Sequence, residues 1–201
     1  MTFRVEEKTI LSFGSLHDFK YWLKEKKAKK IYPLRNIRSL YFDNFSNDMF
    51  VHSEEGIVPR KKIRIRNYPN SKNNSYSLET KISSIEGRFK ESKIIDDVQY
   101  KNYLEKGILD NVYGFVFPKV LVNYDREYFL LNGSRITIDQ NIKYSSFISK
   151  YSYYHENNYV IEIKENNNLN KELKNFFPFQ RVRFSKYCNA ILKLNICNNK
   201  I

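Results

Sequence analysis

Residues 60–81, RKKIRIRNYPNSKNNSYSLETK, carry the pattern from which the fold can be read. In KKIRIRNY, Arg64 and Arg66 alternate with Ile63, Ile65 and Asn67. A strand sends successive side chains to opposite faces, so this spacing predicts both guanidiniums on one face and the isoleucines on the other. A turn-prone run, 69–75, separates it from SYSLETKIS, where Ser77, Glu79 and Lys81 share a face and Leu78 takes the other. Gly87-Arg88-Phe89-Lys90 follows and, if extended, puts Arg88 and Lys90 on a common face. Three neighbouring strands then offer cations at alternate positions. A groove or barrel lumen lined this way suits a polyanion, and phosphate chains in particular, because arginine binds their oxygens in a fork. A solvated cationic sheet face is the alternative.

The 201 residues are enough for one substantial core and are read as a single domain, 1–201. Hydrophobic content of 41% and aromatic content of 16% exclude a disordered chain. With 35 Lys+Arg against 22 Asp+Glu, the net charge of +13 calls for an anionic partner. Nucleic acid, an anionic membrane surface and a phosphorylated small molecule all answer to that description. Cys188 and Cys197 form neither a disulfide framework nor a zinc cluster and read as buried free thiols. His17, His52 and His155 have no ligand-like spacing and read as surface or packing residues. The opening MTFRVEEKTIL is too charged for a secretory signal, and no apolar run reaches the ~18 residues that span a bilayer. The setting expected is soluble, reducing and cytoplasmic.

Residues 3–10 alternate as a strand, with Arg4, Glu6 and Lys8 on one face. Ser15 is placed to cap a helix to about Lys29, whose final KEKKAKK suits the negative end of the helix dipole. That basic run reads first as a solvated face, with docking on a membrane or partner as the alternative. Pro33 is read as the stop, followed by a strand over 37–42 and a short helical or irregular connection over 45–50. Asp96 or Asp97 caps a second helix that ends near Gly107. In KVLVNYDREYFLL, Tyr124, Arg126 and Tyr128 share a face; Asn132-Gly133 is the strongest hairpin signal. In SRITIDQ, Arg135, Thr137 and Asp139 oppose Ile136 and Ile138; in residues 159–164, Glu162 and Lys164 share a face. Residues 169–176 read as helical, and Ser185 caps a final helix to about Leu194. The pattern is α+β: antiparallel strands charged on one face and aliphatic on the other, with a few helices. In an open sheet the charged face meets water; in a closed barrel it can line a polar lumen while helices cover the apolar outside. Glu6 and Glu162 lie on charged faces. They could hold Mg²⁺ or Mn²⁺, which take oxygen ligands, or form salt bridges to neighbouring Arg or Lys.

Taken in order, RVEEK, SLYFD, RKKIRIRNY, SLETK, GRFK, VNYDREYF, SRITID, VIEIK and FSKY resemble the VTC domain. This is the polyphosphate polymerase branch of the triphosphate tunnel metalloenzymes, related to the CYTH domains. The resemblance implies an antiparallel eight-stranded tunnel with helices packed outside and at the C-terminal end. It implies phosphate contacts from Lys8, Arg64, Arg66, Lys81, Lys90, Arg126 and Arg135, a hydroxyl from Tyr124, and further contacts from Ser185 and Lys186. Glu162 would hold a metal, with Glu6 as a second carboxylate. The activity implied is transfer of the ATP γ-phosphoryl group to a growing polyphosphate chain, assisted by Mn²⁺ or Mg²⁺. Thr9 stands where the family pattern leads one to expect a tyrosine. The sequence shows no inositol-phosphate-sensing domain and no membrane-spanning region, so the resemblance is to a solitary, bacterial-type domain.

Three other readings compete. Water as acceptor in the same tunnel would give a hydrolase of tripolyphosphate or nucleoside triphosphates. Hydrolytic relatives tend to carry more carboxylates on the tunnel strands, and this chain has few on the faces assigned above, which favours the polymerase modestly. A basic ring without a metal would give a polyphosphate-binding module. Nucleic-acid binding fits the charge, but the aromatics follow no stacking module, so nucleic acid is not the partner expected.

Overall fold

The structure, a computed structural model, describes residues 4–71, 75–149, 151–166 and 180–196. In chain order the elements are β1 (Arg4–Leu11), α1 (Phe13–Glu25), β2 (Lys29–Asp43), α2 (Asp48–Glu55), β3 (Arg60–Asn67), β4 (Tyr76–Ser84) and β5 (Gly87–Ile95). Then come α3 (Asp97–Lys106), β6 (Ile108–Asp110), β7 (Gly114–Leu131), β8 (Ser134–Ser146), β9 (Tyr153–His155), β10 (Tyr159–Asn166) and α4 (Lys186–Lys193). The main path of the sheet has eight strands, ordered β1-β10-β8-β7-β2-β3-β4-β5, with β6 joined to β7 and β9 to β8. The ladders are antiparallel. The α+β class and the eight-strand path are those expected from the sequence. The chain forms two compact units, and β2, β7 and β8 each contribute a segment to both.

The first unit comprises Met1–Asn36, Tyr124–Ile142 and Glu156–Phe184. Here β10 lies between β1 and β8, with Glu162 opposite Lys8 on one side and Thr137 on the other. The alternation sorts Ile161, Ile163, Ile136 and Ile138 onto the face covered by α1, where they pack with Leu16, Phe19, Trp22 and Leu23. Burial of each such side chain stabilises the fold by roughly 1.5–3 kcal/mol. The other face holds Glu6, Lys8, Thr137, Asp139, Glu162 and Lys164.

Helix α1 departs from the sequence reading at both ends. Its cap is Ser12, whose Oγ accepts from the Ser15 backbone N–H at 3.3 Å, so Ser15 lies inside the first turn. It ends at Glu25 because Lys27 adopts φ 56°, a left-handed conformation. The Ala28 N–H then donates to Leu23 O at 2.9 Å and the Lys27 N–H to Lys24 O at 3.0 Å, which closes a Schellman motif. The end of the basic run therefore starts β2. Pro33 lies within that strand and outside the ladder to β3, which covers Arg38–Phe42, so its missing N–H interrupts no bond there.

The second unit comprises Ile37–Asn123, Lys143–His155 and Ser185–Ile201. In it, β3 buries Ile63 and Ile65 on one face. The fully buried Asp43 organises the helices: its Oδ1 accepts from the Met49 N–H and its Oδ2 from the Phe50 N–H, each at 3.0 Å, which ties β2 to the start of α2. The Tyr187 hydroxyl of α4 donates to Oδ2 at 2.5 Å. Burial raises the Asp43 carboxyl above its ordinary value, although these donors oppose the rise. The stretch read as a short connection thus leads into α2, a regular helix. Asp96 caps α3 in a capping box with Gln99, and α3 closes at Gly107, where a Cβ would stand 2.8 Å from Val116 O. Asn132 and Gly133, of the first unit, both take positive φ, as a type I′ hairpin requires. Ser185 caps α4, as expected. Cys188 is a buried free thiol, and His52 packs against Tyr113 with Nδ1 2.9 Å from its hydroxyl. The helix expected over 169–176 and Cys197 lie outside the described residues. No helix among the described residues is long and apolar enough to cross a membrane.

Candidate functional site

In the second unit, three strands place their charges in register. Tyr41, Arg64, Glu79 and Ser92 form one row across β2, β3, β4 and β5; Lys62, Lys81 and Lys90 form the next across β3, β4 and β5. Arg64 and Arg66 are each only 7% exposed, so the solvated-face alternative fails for this pair. Arg64 donates through Nε to Glu79 Oε2 at 2.7 Å and through Nη1 to the Tyr41 hydroxyl at 2.9 Å. Arg66 Nε donates to Ser39 Oγ at 3.0 Å, and its Nη1 lies 3.9 Å from Glu79 Oε2. Lys90 Nζ donates to Glu79 Oε1 at 2.6 Å. Burial alone would raise the Glu79 carboxyl, but Arg64, Arg66 and Lys90 outweigh it and bring the carboxyl to about 2. Burial would likewise raise the Tyr41 phenol, yet the cations Arg64, Arg66 and Lys186 lower it overall. Lys62 Nζ reaches Ser185 Oγ at 2.9 Å, and the same oxygen accepts the Cys188 N–H that begins α4.

In the first unit, β1, β7, β8 and β10 bring a second set together. Arg126 forks onto Asp139, Nε to Oδ1 at 2.5 Å and Nη2 to Oδ2 at 2.7 Å. Its Nη2 also lies 3.6 Å from Glu162 Oε2, and its guanidinium carbon lies 5.3 Å from the centre of the buried Tyr124 ring. Burial would lower the Arg126 guanidinium, but Asp139, Tyr124 and Glu162 raise it well above its ordinary value. Glu162 Oε1 takes Lys164 Nζ at 2.6 Å, and Glu6 takes Lys164 at 3.5 Å and Lys8 at 3.1 Å. Burial would raise Glu162, but Arg126, Lys164 and Lys8 hold it well below the usual carboxylate range. Lys8 Nζ also donates to Phe184 O at 3.1 Å.

A family model described as the VTC domain matches residues 4–114 and 115–195, nearly the whole chain and parts of both units.

The chain belongs to the VTC domain family.

Among solved structures, this VTC domain is similar to a candidate adenylate cyclase from Bacillus halodurans, with TM-score 0.63, 15% identity and coverage of 95% of this chain and 96% of that one. It is also similar to a candidate adenylyl cyclase from Hippeastrum described as having a dominant triphosphatase activity (TM-score 0.58, 14% identity, coverage 94% and 95%). A Pyrococcus horikoshii protein matches with TM-score 0.56 and 15% identity over 98% of this chain and all of that one. At these identities the likeness is one of fold. No curated protein matches the chain.

The expected residues of this VTC domain fall into the two clusters. Glu6, Lys8, Tyr124, Arg126 and Glu162 lie in the first unit, with Arg135 exposed on the same face of β8 as Thr137 and Asp139. Arg64, Arg66, Lys81, Lys90, Ser185 and Lys186 lie in the second. Both glutamates proposed as metal ligands are engaged in salt bridges, the alternative that the sequence left open. Thr9 is buried opposite Ile161, so it stands on the aliphatic face of β1. Four contributors escaped the sequence reading: Tyr41, Lys62, Glu79 and Asp139. Their alternation with Arg64, Lys81 and Arg135 was visible, but their pairing depends on cross-strand register.

Among the described residues, no three His, Cys, Asp or Glu side chains gather into a self-sufficient metal site. Magnesium and manganese need less from a protein when phosphates supply further oxygens: one or two carboxylates and water complete the set. Glu6 and Glu162 fit that requirement as neighbouring ionised oxygen donors on β1 and β10 that Lys164 links.

Proposed function

We propose that this VTC domain, residues 1–201 acting as one domain, is a polyphosphate polymerase that moves the ATP γ-phosphoryl group onto a growing polyphosphate chain. The observation that carries this reading is the lysine row of β3–β5. Lys62, Lys81 and Lys90 stand in one cross-strand row beside Arg64 and Arg66, and the Glu79 carboxylate meets three of these five cations, Arg64, Arg66 and Lys90. Like charges opposite each other on a sheet oppose folding. A face that keeps them is fitted to a polyanion, and phosphate oxygens match both the guanidinium forks and the lysine points.

Phosphoryl transfer asks a protein chiefly for positioning and for stabilising charge on the transferred oxygens. Arg64 and Arg66 are held by Glu79, Tyr41 and Ser39, and Arg126 is held by Asp139, so their donors need little reorganisation. Mg²⁺ or Mn²⁺ held by Glu162 and Glu6 would offset charge on phosphate oxygens. The attacking group is itself a phosphate oxygen, so no side-chain nucleophile is needed. Cys188 is unsuited to that part, because burial pushes its thiol up.

The second reading is a triphosphatase. It is favoured by Glu79 and Asp139, which hold Arg64 and Arg126 and add to the carboxylates Glu6 and Glu162 that the sequence reading counted toward the site, and by the triphosphatase activity described for the Hippeastrum protein. One experiment separates the two: purified protein with ATP and Mn²⁺, products resolved on a polyphosphate-stained gel, and free phosphate assayed in parallel. A ladder with ADP and little free phosphate establishes the polymerase; free phosphate alone establishes the hydrolase. Bound but unconverted ATP or polyphosphate would make the domain a binding module.

A further inference from the structure

We propose that Lys164 holds the notch between Glu6 and Glu162 in the ligand-free protein and yields it to a divalent cation only when phosphate oxygens are present to receive its ammonium. The inference rests on the metal assignment made above and adds an order of binding to it. Lys164 Nζ lies 2.6 Å from Glu162 Oε1 and 3.5 Å from Glu6 Oε2, so it touches both candidate ligands at once. The remaining oxygens face Lys8, 3.1 Å from Glu6 Oε1, and Arg126, 3.6 Å from Glu162 Oε2.

These three cations are not equally placed to move. Lys8 is also bound to Phe184 O, and Arg126 is forked onto Asp139. Lys164 is bound to the two carboxylates and has a flexible four-carbon stem. A divalent cation held by Glu6 and Glu162 would compete for the place that the Lys164 ammonium fills.

Charge sets the order. In the linked set, Lys8, Arg126 and Lys164 balance Glu6, Asp139 and Glu162. A dication entering alone leaves the set strongly positive and strands Lys164 without a partner. A triphosphate brings several negative charges together with acceptors for the displaced ammonium. Metal and triphosphate uptake are therefore coupled, and by linkage the coupling is reciprocal.

The test is Mn²⁺ binding to the full chain, with and without tripolyphosphate, followed by equilibrium dialysis against matched tripolyphosphate buffer and by the loss of the free-ion EPR signal beyond that of a protein-free control. Wild type should bind Mn²⁺ weakly alone and about tenfold or more tightly with tripolyphosphate. Lys164→Met should tighten binding without tripolyphosphate by about tenfold and shrink the enhancement. Lys164→Arg, which keeps the charge, should stay weak. Equal Mn²⁺ affinity in wild type and Lys164→Met, or tightening by Lys164→Arg as well, overturns the proposal. Circular-dichroism melts of both variants show that folded protein is being compared. Glu162→Gln distinguishes the two levels: tripolyphosphate-dependent uptake that survives it overturns the metal assignment, and the role of Lys164 with it.

Discussion

Glu79 receives Arg64 on one carboxylate oxygen, with Nη2 at 2.5 Å and Nε at 2.7 Å, while Lys90 takes the other at 2.6 Å. The carboxylate thus keeps a buried guanidinium in place, and the guanidinium keeps the carboxylate ionised. Removing Arg64 leaves this buried carboxylate only Lys90 and the more distant Arg66, at 3.9 Å, whereas removing both charges of the pair takes the under-compensated carboxylate away as well.

Arg64→Ala should therefore lose both function and stability, for separable reasons. Triphosphate turnover should fall at least ~100-fold with the loss of a donor aimed at developing charge, and urea unfolding should show a loss of about 3 kcal/mol. The double variant Arg64→Ala/Glu79→Gln should regain much of the stability and none of the turnover. Recovery of turnover in the double variant would remove Arg64 from the site.

The same pair sets part of the acid limit of the fold. The Glu79 carboxyl is lowered from 4.5 to about 2 on folding, so its contribution is complete above pH 4.5 and is lost as the pH falls through 2. That contribution is at most about 3 kcal/mol. Wild type should lose stability across this window more steeply than Glu79→Gln, as read from unfolding free energies at successive pH values. Parallel curves would contradict the assignment.

Tyr187→Phe removes the hydroxyl that donates to fully buried Asp43. The cost should be about 1–3 kcal/mol. Burial already raises the Asp43 carboxyl above its ordinary value, and losing a donor raises it further. The penalty belongs to the ionised form. It should be larger at pH 7 than at pH 4.5 in denaturant melts, and a constant penalty would refute this account.

Lys27→Gly should stabilise the protein. Lys27 closes α1 at φ 56°, where a side chain costs on the order of 1 kcal/mol that glycine avoids. The gain expected is about 0.5–1 kcal/mol in thermal or urea unfolding, with phosphate binding unchanged. A loss of stability would mean that the lysine side chain contributes more than its backbone costs.

Much of this was legible from alternation alone. Arg64 and Arg66 opposite Ile63 and Ile65, Glu162 opposite Ile161 and Ile163, and the Asn132-Gly133 turn are period-two and turn signals that burial enforces. The Ser185 cap was read directly and Asp96 was one of two candidates, but Ser12 caps α1 where Ser15 was expected. The end of α1 was not legible, because nothing in KEKKAKK marks Lys27 for a left-handed conformation; the hydrogen bonds of Ala28 and Lys27 impose it. The site divides in the same way. Faces follow from sequence, but the meetings of Glu79 with Arg64, Asp139 with Arg126 and Lys164 with Glu6 depend on which strands become neighbours and in what register.

The pairing of Lys8 with Glu162 joins β1 to β10, a strand synthesised long after it. About 150 residues separate them, and at ~5–20 residues per second the partner strand follows roughly 8–30 seconds later. Throughout that interval the nascent β1 has no β10 to cover its edge. Its charge-rich opening, RVEEK, is the kind of edge that resists pairing with another chain. The charges that β1 carries into the polar face of the finished sheet thus also oppose edge-to-edge pairing of the unfinished chain during translation.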